Sequence, residues 1–347
     1  MAMRRFPVVM TTSILLFSVL VSCARNDYSQ SKSEFLLGTV CTIKLFEKTK
    51  ADVFTDVFAR VLEIEQRMST VIETSEVSQI NAGAGISPAA VSPDTLFVIQ
   101  RALYYGDLSG GAFDISIGPL VTLWGIGTDH ARLPEKEEIE ALLPLVNYRD
   151  IAVDPEAGTV YLKRKGMSID LGGIAKGYAA DEAARLLKER GLTRAIIDFG
   201  GNIYVLGSKG KNLPWRVGVQ NPQEERGTYV AIIQASDKAL VSSGTYERFF
   251  IREGRRYHHI LDTKTGYPVE NGLSDTTVIT DISIDADALS TVLFTLGLDK
   301  AYALAAGLSG VDAVFVTTGR EIIATPGLEG MITAADDTFK IVPYRSP

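Results

Sequence analysis

The sequence predicts an α+β fold, and three observations lead to this prediction. The chain has 347 residues, of which 46% are apolar and 22% charged, so it can fill a large core. Strand-like and helix-like segments alternate at irregular intervals, without a repeat or a low-complexity linker. Several strand-like segments follow one another directly across glycine-containing turns, which is typical of an α+β fold and not of a regular doubly wound sheet.

The N-terminal 22 residues are typical of an export signal. Arg4 and Arg5 precede an apolar run over 6–21, and Leu20, Val21 and Ser22 lead to Cys23. This sequence before Cys23 resembles a bacterial lipobox, in which the cysteine is acylated, for example with palmitate, and becomes the mature N-terminus. An ordinary cleavage site beside a cysteine and a transmembrane anchor are the alternatives, but the run is short and interrupted by polar residues.

The polar composition of residues 23–34 predicts a flexible tether between the lipidated Cys23 and a domain over 35–347. We therefore expect a lipid-anchored protein on the periplasmic side of a bacterial membrane, with the inner membrane favoured over the outer. Cys41 is then the one cysteine without a lipid. Because it lies in the alternating run over 39–45, we interpret it as a buried strand residue and not as a nucleophile.

Hydrophobic spacing predicts the remaining elements in order. Apolar residues recur at helical spacing over 53–68 and over 96–104, the latter after the turn signal Ser92-Pro93-Asp94. A short charged helix is predicted over 135–143. The segments with strand patterns are 151–153, 159–162, 195–199, 215–220, 229–235, 257–261, 276–280 and 311–317.

Charge and composition restrict the possible partners. Lys plus Arg total 35 against 42 Asp plus Glu, a formal net charge of −7, so the chain offers no general basic surface for a phosphate backbone. We expect no nucleic-acid partner. Two cysteines and three histidines are too few for a Cys/His zinc cluster, so a bound metal should be a hard cation with oxygen ligands.

A glycine-rich turn at 167–178 is the first candidate site. A short strand passes through Gly172 and Gly173 into a predicted helix that extends to about 191. Free N–H groups at such a helix start attract anions, and Lys176 lies in the first turn, where the dipole disfavours a cation unless an anion is near. A tight turn with a solvated lysine explains the segment equally well.

A second candidate lies at 283–291. Asp287 and Thr291 are four residues apart, so on a helix they share a face and offer two oxygen ligands for Mg²⁺. The alternatives are a favourable dipole interaction of Asp287 and a bond from Thr291 back to the preceding turn. Asp285 is predicted to cap or favour the helix start.

The segments 257–268 and 110–120 complete the candidates. His258 and His259 are adjacent on a predicted strand, so they point to opposite faces and one of them could serve as an acid or base. Phe113 and Asp114 follow the glycine pair Gly110-Gly111. From composition alone, Phe113 is interpreted as a core residue.

Taken together with Asp198-Phe199-Gly200-Gly201-Asn202 and the segment 242–248, these motifs resemble the ApbE family of flavin transferases. The resemblance extends from Leu37-Gly38-Thr39 to Leu328, nearly the whole predicted mature chain. It implies a single α+β domain with mixed and antiparallel sheets and packed helices.

The resemblance also implies an activity. Members of this family are exported FAD:protein FMN transferases, which use Mg²⁺ to cleave the FAD pyrophosphate, release AMP and esterify FMN to a Thr or Ser hydroxyl of an acceptor protein. Some relatives hydrolyse FAD to FMN and AMP, and others mainly hold FAD. The expected partners are therefore FAD as substrate, an acceptor flavoprotein subunit and the membrane.

Site residues follow from the same resemblance. It implies metal ligation by Asp287, Thr291 and the carbonyl of Gly173, while Ser290 takes a place where some relatives have aspartate. The positions implied to line FAD are Leu37, Val71, Ala112, Phe113, Asp114, Asp170, Lys176 and Ile260, with 112–114 in a strand. Many relatives carry Trp or Tyr at the position of Val71, so we expect weaker FAD retention. The acceptor hydroxyl must also lose a proton, and for that step His259 is the expected base, with His258 as the alternative and with Asp262, or the turn after it, to orient the imidazole.

Overall fold

The computed structural model describes residues 28–49 and 52–345. The predicted signal segment, Cys23 and the first part of the predicted tether lie outside these residues. Among the helices in the described ranges, none combines the length and the apolar character needed to cross a membrane.

Helices and strands alternate irregularly, as the sequence predicts. The helices are α1 (Val53–Met68), α2 (Glu76–Ala82), α3 (Pro93–Leu108), α4 (Gly118–Trp124), α5 (Lys136–Leu142), α6 (Ala175–Glu189), α7 (Ser283–Leu296) and α8 (Leu298–Gly307). The strands are β1 (Gln30–Leu36), β2 (Thr39–Leu45), β3 (Ala89–Ala90), β4 (Ile151–Asp154), β5 (Thr159–Leu162), β6 (Ala195–Phe199), β7 (Asn202–Leu206), β8 (Trp215–Gln220), β9 (Tyr229–Ala235), β10 (Lys238–Gly244), β11 (Phe249–Arg252), β12 (Arg255–His258), β13 (Leu273–Thr280), β14 (Asp312–Thr317), β15 (Glu321–Ala324), β16 (Ile332–Ala334) and β17 (Lys340–Ile341).

A large sheet forms the centre of the fold. Within the described residues its strand order is β1-β2-β6-β7-β10-β13-β14-β15-β17. Neighbouring strands in it pair antiparallel, except β15 and β17, which are parallel. The predicted α+β class with mixed and antiparallel sheets is confirmed.

The sheet is covered differently on its two faces. Buried residues of one face, such as Ile43 and Phe199, belong to the same apolar core as the buried stripes of α1, α6 and α7. On the other face, Val205, Leu240 and Val314 pack in a second core with the small sheet β16-β9-β8. Strand alternation produces both cores, since successive side chains point to opposite faces.

The predicted tether ends earlier than composition suggests. Residues 30–34 form most of β1, because each pairs with a residue of β2, from Gln30 opposite Leu45 to Glu34 opposite Cys41. Backbone pairing holds this polar edge strand in place, so it needs few apolar side chains. Cys41 is fully buried in β2, as predicted, and burial raises the pKa of its thiol to about 12.

Candidate active site

The candidate site lies where the first turns of α6 and α7 meet. Gly177 of α6 is in close contact with α7: a Cβ at this position would lie 2.5 Å from the carbonyl oxygen of Ser283 and 2.8 Å from Cβ of Asp287. Only a glycine allows the two helices to approach so closely. The glycine-rich segment and the acidic segment, which are separate in sequence, are therefore neighbours in the fold.

Asp287 joins the two helices. Its side chain is buried, and Oδ2 accepts a hydrogen bond of 2.8 Å from the backbone N–H of Gly177. Oδ1 lies 3.4 Å from Nζ of Lys176, which also donates to the carbonyl of Gly172 at 3.1 Å. Lys176 is the second residue of α6, so it lies in the first turn of this helix, as the sequence predicts. Its ammonium lies between the glycine turn and the carboxylate.

Asp181 fixes the start of α7. Its carboxylate accepts hydrogen bonds from the N–H groups of Ser283 and Ile284, at 2.7 and 2.8 Å, and so caps α7 from the neighbouring helix α6. Burial raises the pKa of Asp181 to about 6. Asp285, predicted to cap α7 or to favour its start, lies in the first turn without capping it and forms two hydrogen bonds of 2.7 Å with Arg101 of α3.

Hydroxyl groups connect α7 to the central sheet. Ser243 of β10 lies 2.8 Å from Oγ of Ser290 and 3.3 Å from Oγ1 of Thr291. Ser290 is fully buried and donates to the carbonyl of Asp287 at 2.8 Å, so its hydroxyl is engaged within the protein. Asp287 and Thr291 are on the same helix, with the four-residue spacing that places them on one face.

The glycine turn and the loop after α3 meet beside Thr291. A Cβ at Gly173 would lie 3.2 Å from the ring of Phe113 and 3.7 Å from Oγ1 of Thr291. Residues 112–114 form no strand, in contrast to the prediction. The buried Asp114 holds them in a loop by accepting from the hydroxyl and N–H of Ser116 and from the N–H of Tyr148.

His258 and His259 occupy different environments. His258 ends β12 and is buried, and because a carbonyl can only accept, its Nε2–H donates to Val269 O at 2.9 Å. Its Nδ1 accepts from the N–H of Ile260 at 3.3 Å. Both ring nitrogens are therefore engaged, and burial lowers the pKa of His258. This arrangement leaves no free nitrogen for acid or base chemistry.

His259 is half-buried, immediately after β12. Its Nδ1 lies 3.3 Å from the carbonyl oxygen of Arg248, which also accepts from the His259 backbone N–H at 3.1 Å. Nδ1 therefore carries the proton and Nε2 has a free lone pair. The pKa of this imidazole is lowered to about 3, mainly by burial and secondly by the positive charge of Arg248. The neutral ring is thus favoured.

The orienting group is not the one predicted from the sequence. Asp262 uses Oδ1 to accept from the N–H groups of Lys264 and Thr265, at 2.7 and 3.0 Å, and thereby closes its own turn. Thr263 of that turn donates to Gly111 O at 2.7 Å, which ties the histidine segment to the glycine loop before Phe113.

The other predicted lining residues lie in several segments. Leu37 is in the β1–β2 turn with φ of 54°, and its N–H donates to Glu65 at 2.8 Å. Asp170 accepts from the N–H of Gly172 at 2.7 Å. Ile260 is buried next to His258, Ala112 is half-buried, and Val71 is 87% exposed.

The residues present fit a hard cation. Asp287 Oδ1, Thr291 Oγ1 and the backbone of Gly173 lie on neighbouring segments and carry oxygen atoms, the donor type that Mg²⁺ prefers. Among the described residues, no group of three or more His, Cys, Asp or Glu side chains is arranged to hold a metal. A cation here would therefore depend on one carboxylate and on neutral oxygens.

Fold and site together define an α+β protein whose candidate site brings oxygen donors and an ammonium near a neutral imidazole, a chemistry suited to phosphoryl transfer. The ApbE family model matches residues 37–315. The FAD:protein FMN transferase of Treponema pallidum is 34% identical over 326 residues, covering 89% of this chain and 90% of the relative. That of Klebsiella pneumoniae is 34% identical over 312 residues, covering 90% and 96%.

Solved structures agree with these matches. The ApbE protein of Thermotoga maritima superposes with a TM-score of 0.80 at 32% identity, covering 88% of this chain and 99% of that chain. The flavin transferase ApbE of Vibrio cholerae gives a TM-score of 0.78 at 28% identity with the same coverage. The chain belongs to the ApbE family.

Sequence reasoning missed three contributors to the site: Asp181, Ser243 and Arg248. Each acts from a different element than the residue it supports, so no local spacing signals it. Ser243 and Arg248 lie inside the segment 242–248 that carries part of the family resemblance, and this was the available signal.

Proposed function

We propose that this chain is an FAD:protein FMN transferase. The observation that carries the proposal is the junction of α6 and α7, where Lys176, Asp287 and Thr291 converge beside the glycine turn. The ammonium of Lys176 and the nearby oxygen ligands suit a diphosphate, and this reaction breaks the P–O–P linkage of the FAD diphosphate. The names of the relatives support the same activity.

The proposed cofactor is Mg²⁺, held by Asp287, Thr291 and the carbonyl of Gly173. When bound, it would neutralise charge on the phosphoryl oxygens during transfer. Lys176, whose ammonium contacts Asp287, would place a second positive charge at the same phosphates. The turn through Gly172 and Gly173 would let the diphosphate approach the backbone closely.

His259 is the proposed base. Its unprotonated Nε2 would accept the proton of a Thr or Ser hydroxyl from the acceptor protein. The hydroxyl oxygen then bonds to the phosphorus of the FMN half, and the bond from that phosphorus to the bridging oxygen breaks. AMP leaves with the bridging oxygen and its electron pair, and FMN stays on the acceptor as a phosphoester. No nucleophile from this chain is needed.

Intact-mass measurement of a flavoprotein subunit, after incubation with FAD, Mg²⁺ and this protein, tests the proposal. We expect the acceptor to gain FMN and AMP to appear in equal amount, and an acceptor whose target Thr is changed to Val should gain nothing. Free FMN and AMP without acceptor labelling would instead identify an FAD pyrophosphatase. Stoichiometric FAD without either product would identify an FAD-binding lipoprotein.

We further propose that Cys23 is lipidated and holds the protein at the periplasmic side of the membrane, favouring the inner membrane. The lipobox-like sequence before Cys23 supports this location. Several acyl chains hold a protein far more firmly than one. Cys23→Ala should therefore release a soluble protein with unchanged activity, measured by membrane fractionation. Retention of the variant in the membrane would reject the anchor.

A further inference from the structure

Arg248 presents an unpaired positive charge beside the proposed base. Arg248 is exposed. Within residues 28–49 and 52–345, no carboxylate oxygen lies within 4.0 Å of its guanidinium. The neighbouring Glu247 is already paired with Arg226 at 2.7 Å. Other exposed arginines of this protein, such as Arg132 and Arg255, do have an acidic partner.

The Arg248 side chain is nevertheless held in place. A Cβ at Gly127, whose φ is 88°, would lie only 3.0 Å from Cδ of Arg248, so the stem of the side chain packs on bare backbone. At the other end, Nη2 lies 3.4 Å from the carbonyl oxygen of Gly38 in the β1–β2 turn. The guanidinium is thus placed between two loops and keeps most of its donors free.

Arg248 and Lys176 both act on His259. The backbone carbonyl of Arg248 binds His259, and the charges of Arg248 and Lys176 both lower the pKa of its imidazole. Asp287 partly compensates Lys176, whereas nothing among the described side chains compensates Arg248. Arg248 therefore adds an uncompensated cation near the proposed base, and a planar guanidinium suits phosphate oxygens.

We propose that the guanidinium of Arg248 binds the diphosphate of FAD, as a second cation besides Lys176. This inference rests on the proposed function, since it takes FAD as the ligand. Arg248 would then have two roles at once: its side chain binds substrate, and its carbonyl keeps the His259 lone pair on Nε2. A substitution of Arg248 removes the first role and leaves the second, because the carbonyl belongs to the backbone.

Calorimetric titration with FAD and with riboflavin, which lacks the diphosphate, tests the role of Arg248. It is done without acceptor and in the presence of chelator, so that FAD is not consumed. In Arg248→Gln we expect FAD affinity to fall at least tenfold and riboflavin affinity to stay within twofold. Added salt should weaken FAD binding less in this variant than in wild type, and Arg248→Lys should recover part of the affinity.

Arg252→Gln is the matched control. It removes an exposed arginine at the far end of β11, about 13 Å along the strand from Arg248. Unchanged FAD affinity in Arg248→Gln, or an equal loss for FAD and riboflavin, would overturn the assignment. AMP release by the wild type, measured on the same preparation with Mg²⁺ and acceptor, reports separately on the proposed function. If the wild type releases no AMP but Arg248→Gln still loses FAD affinity selectively, the transferase activity is rejected and the assignment of Arg248 as a binding residue is retained.

Discussion

Asp287 accepts a hydrogen bond from the Gly177 N–H through one carboxylate oxygen and contacts the Lys176 ammonium through the other. The same side chain therefore joins two helices and provides the acidic ligand of the proposed metal site. Removing it by alanine would leave a buried N–H unpaired, at a cost of about 1–3 kcal/mol. Asparagine has the same shape as aspartate, so Asp287→Asn separates the role in joining the helices from the proposed role as a metal ligand better than alanine does.

Asp287→Asn should lower AMP release by orders of magnitude in the presence of Mg²⁺, because a neutral amide binds a hard cation much more weakly than a carboxylate. The amide oxygen can still accept from Gly177, so the melting temperature should change little. Thr291→Val should give a smaller defect, since water can replace a neutral ligand. Full activity of Asp287→Asn, or wild-type activity in excess chelator, would reject the metal site.

The contact between α6 and α7 leads to a second prediction. Gly177→Ala places a methyl group 2.5 Å from Ser283 O, so the helices must separate, and we expect a loss of about 1–3 kcal/mol in the free energy of unfolding. Separation also moves Asp287 away from Lys176, so AMP release should fall. Chemical denaturation and kinetics measure both effects.

Gly307→Ala is the control for this substitution. Gly307 ends α8, and a Cβ there would meet nothing within 4 Å. The control should retain wild-type activity and stability. A Gly177→Ala protein as stable as wild type would show that the helix contact tolerates a side chain.

Strands with clear alternation could be predicted from the sequence, whereas β1 could not. β6, β8 and β9 have the predicted bounds; buried residues alternate with more accessible ones along β6 and β8, and along most of β9. In β1, Ser31, Lys32 and Ser33 are all exposed, so the side chains carry no alternation. Its place is determined by backbone pairing with β2, which leaves no trace in composition.

The site shows the same limit. The spacing of Asp287 and Thr291 and the glycine turn were visible because each is local. The choice between the histidines was not, since it depends on Val269 and on the carbonyl of Arg248, eleven residues away in each case. Asp181 likewise caps a helix that begins about one hundred residues later, so α7 has no capping signal of its own.

His259 leads to the third prediction. Because its pKa falls from the ordinary 6.5 to about 3, the folded protein keeps this imidazole neutral while the unfolded chain binds a proton. The unfolded state therefore gains protons as pH falls from 6.5 towards 3, and stability is lost in that window. In His259→Gln this contribution should disappear, so the fall in unfolding free energy between pH 7 and 5 should be smaller, as measured by urea titration.

Kinetics distinguish the two histidines. His259→Gln should slow AMP release sharply with FAD affinity changed only a few fold, because a base acts on the transition state. His258→Ala should act mainly through stability, since it leaves the N–H of Ile260 and the carbonyl of Val269 without their partner. Equal kinetic defects in both variants at equal stability would place the base elsewhere.

Val71 provides the last prediction. It is 87% exposed after α1, at a position where the family resemblance implies an aromatic residue that stacks on the ligand. Val71→Trp should therefore bind FAD more tightly, by about 1–3 kcal/mol if a base stacks on the indole. Tighter binding of the ground state does not lower the barrier from the bound complex, so kcat should stay level or fall while KM for FAD decreases. Fluorescence titration and AMP-release kinetics measure the two effects. Ile86→Trp adds the same side chain at another exposed position and should change neither; an equal gain in FAD affinity in both variants would show nonspecific stacking and remove Val71 from the binding site.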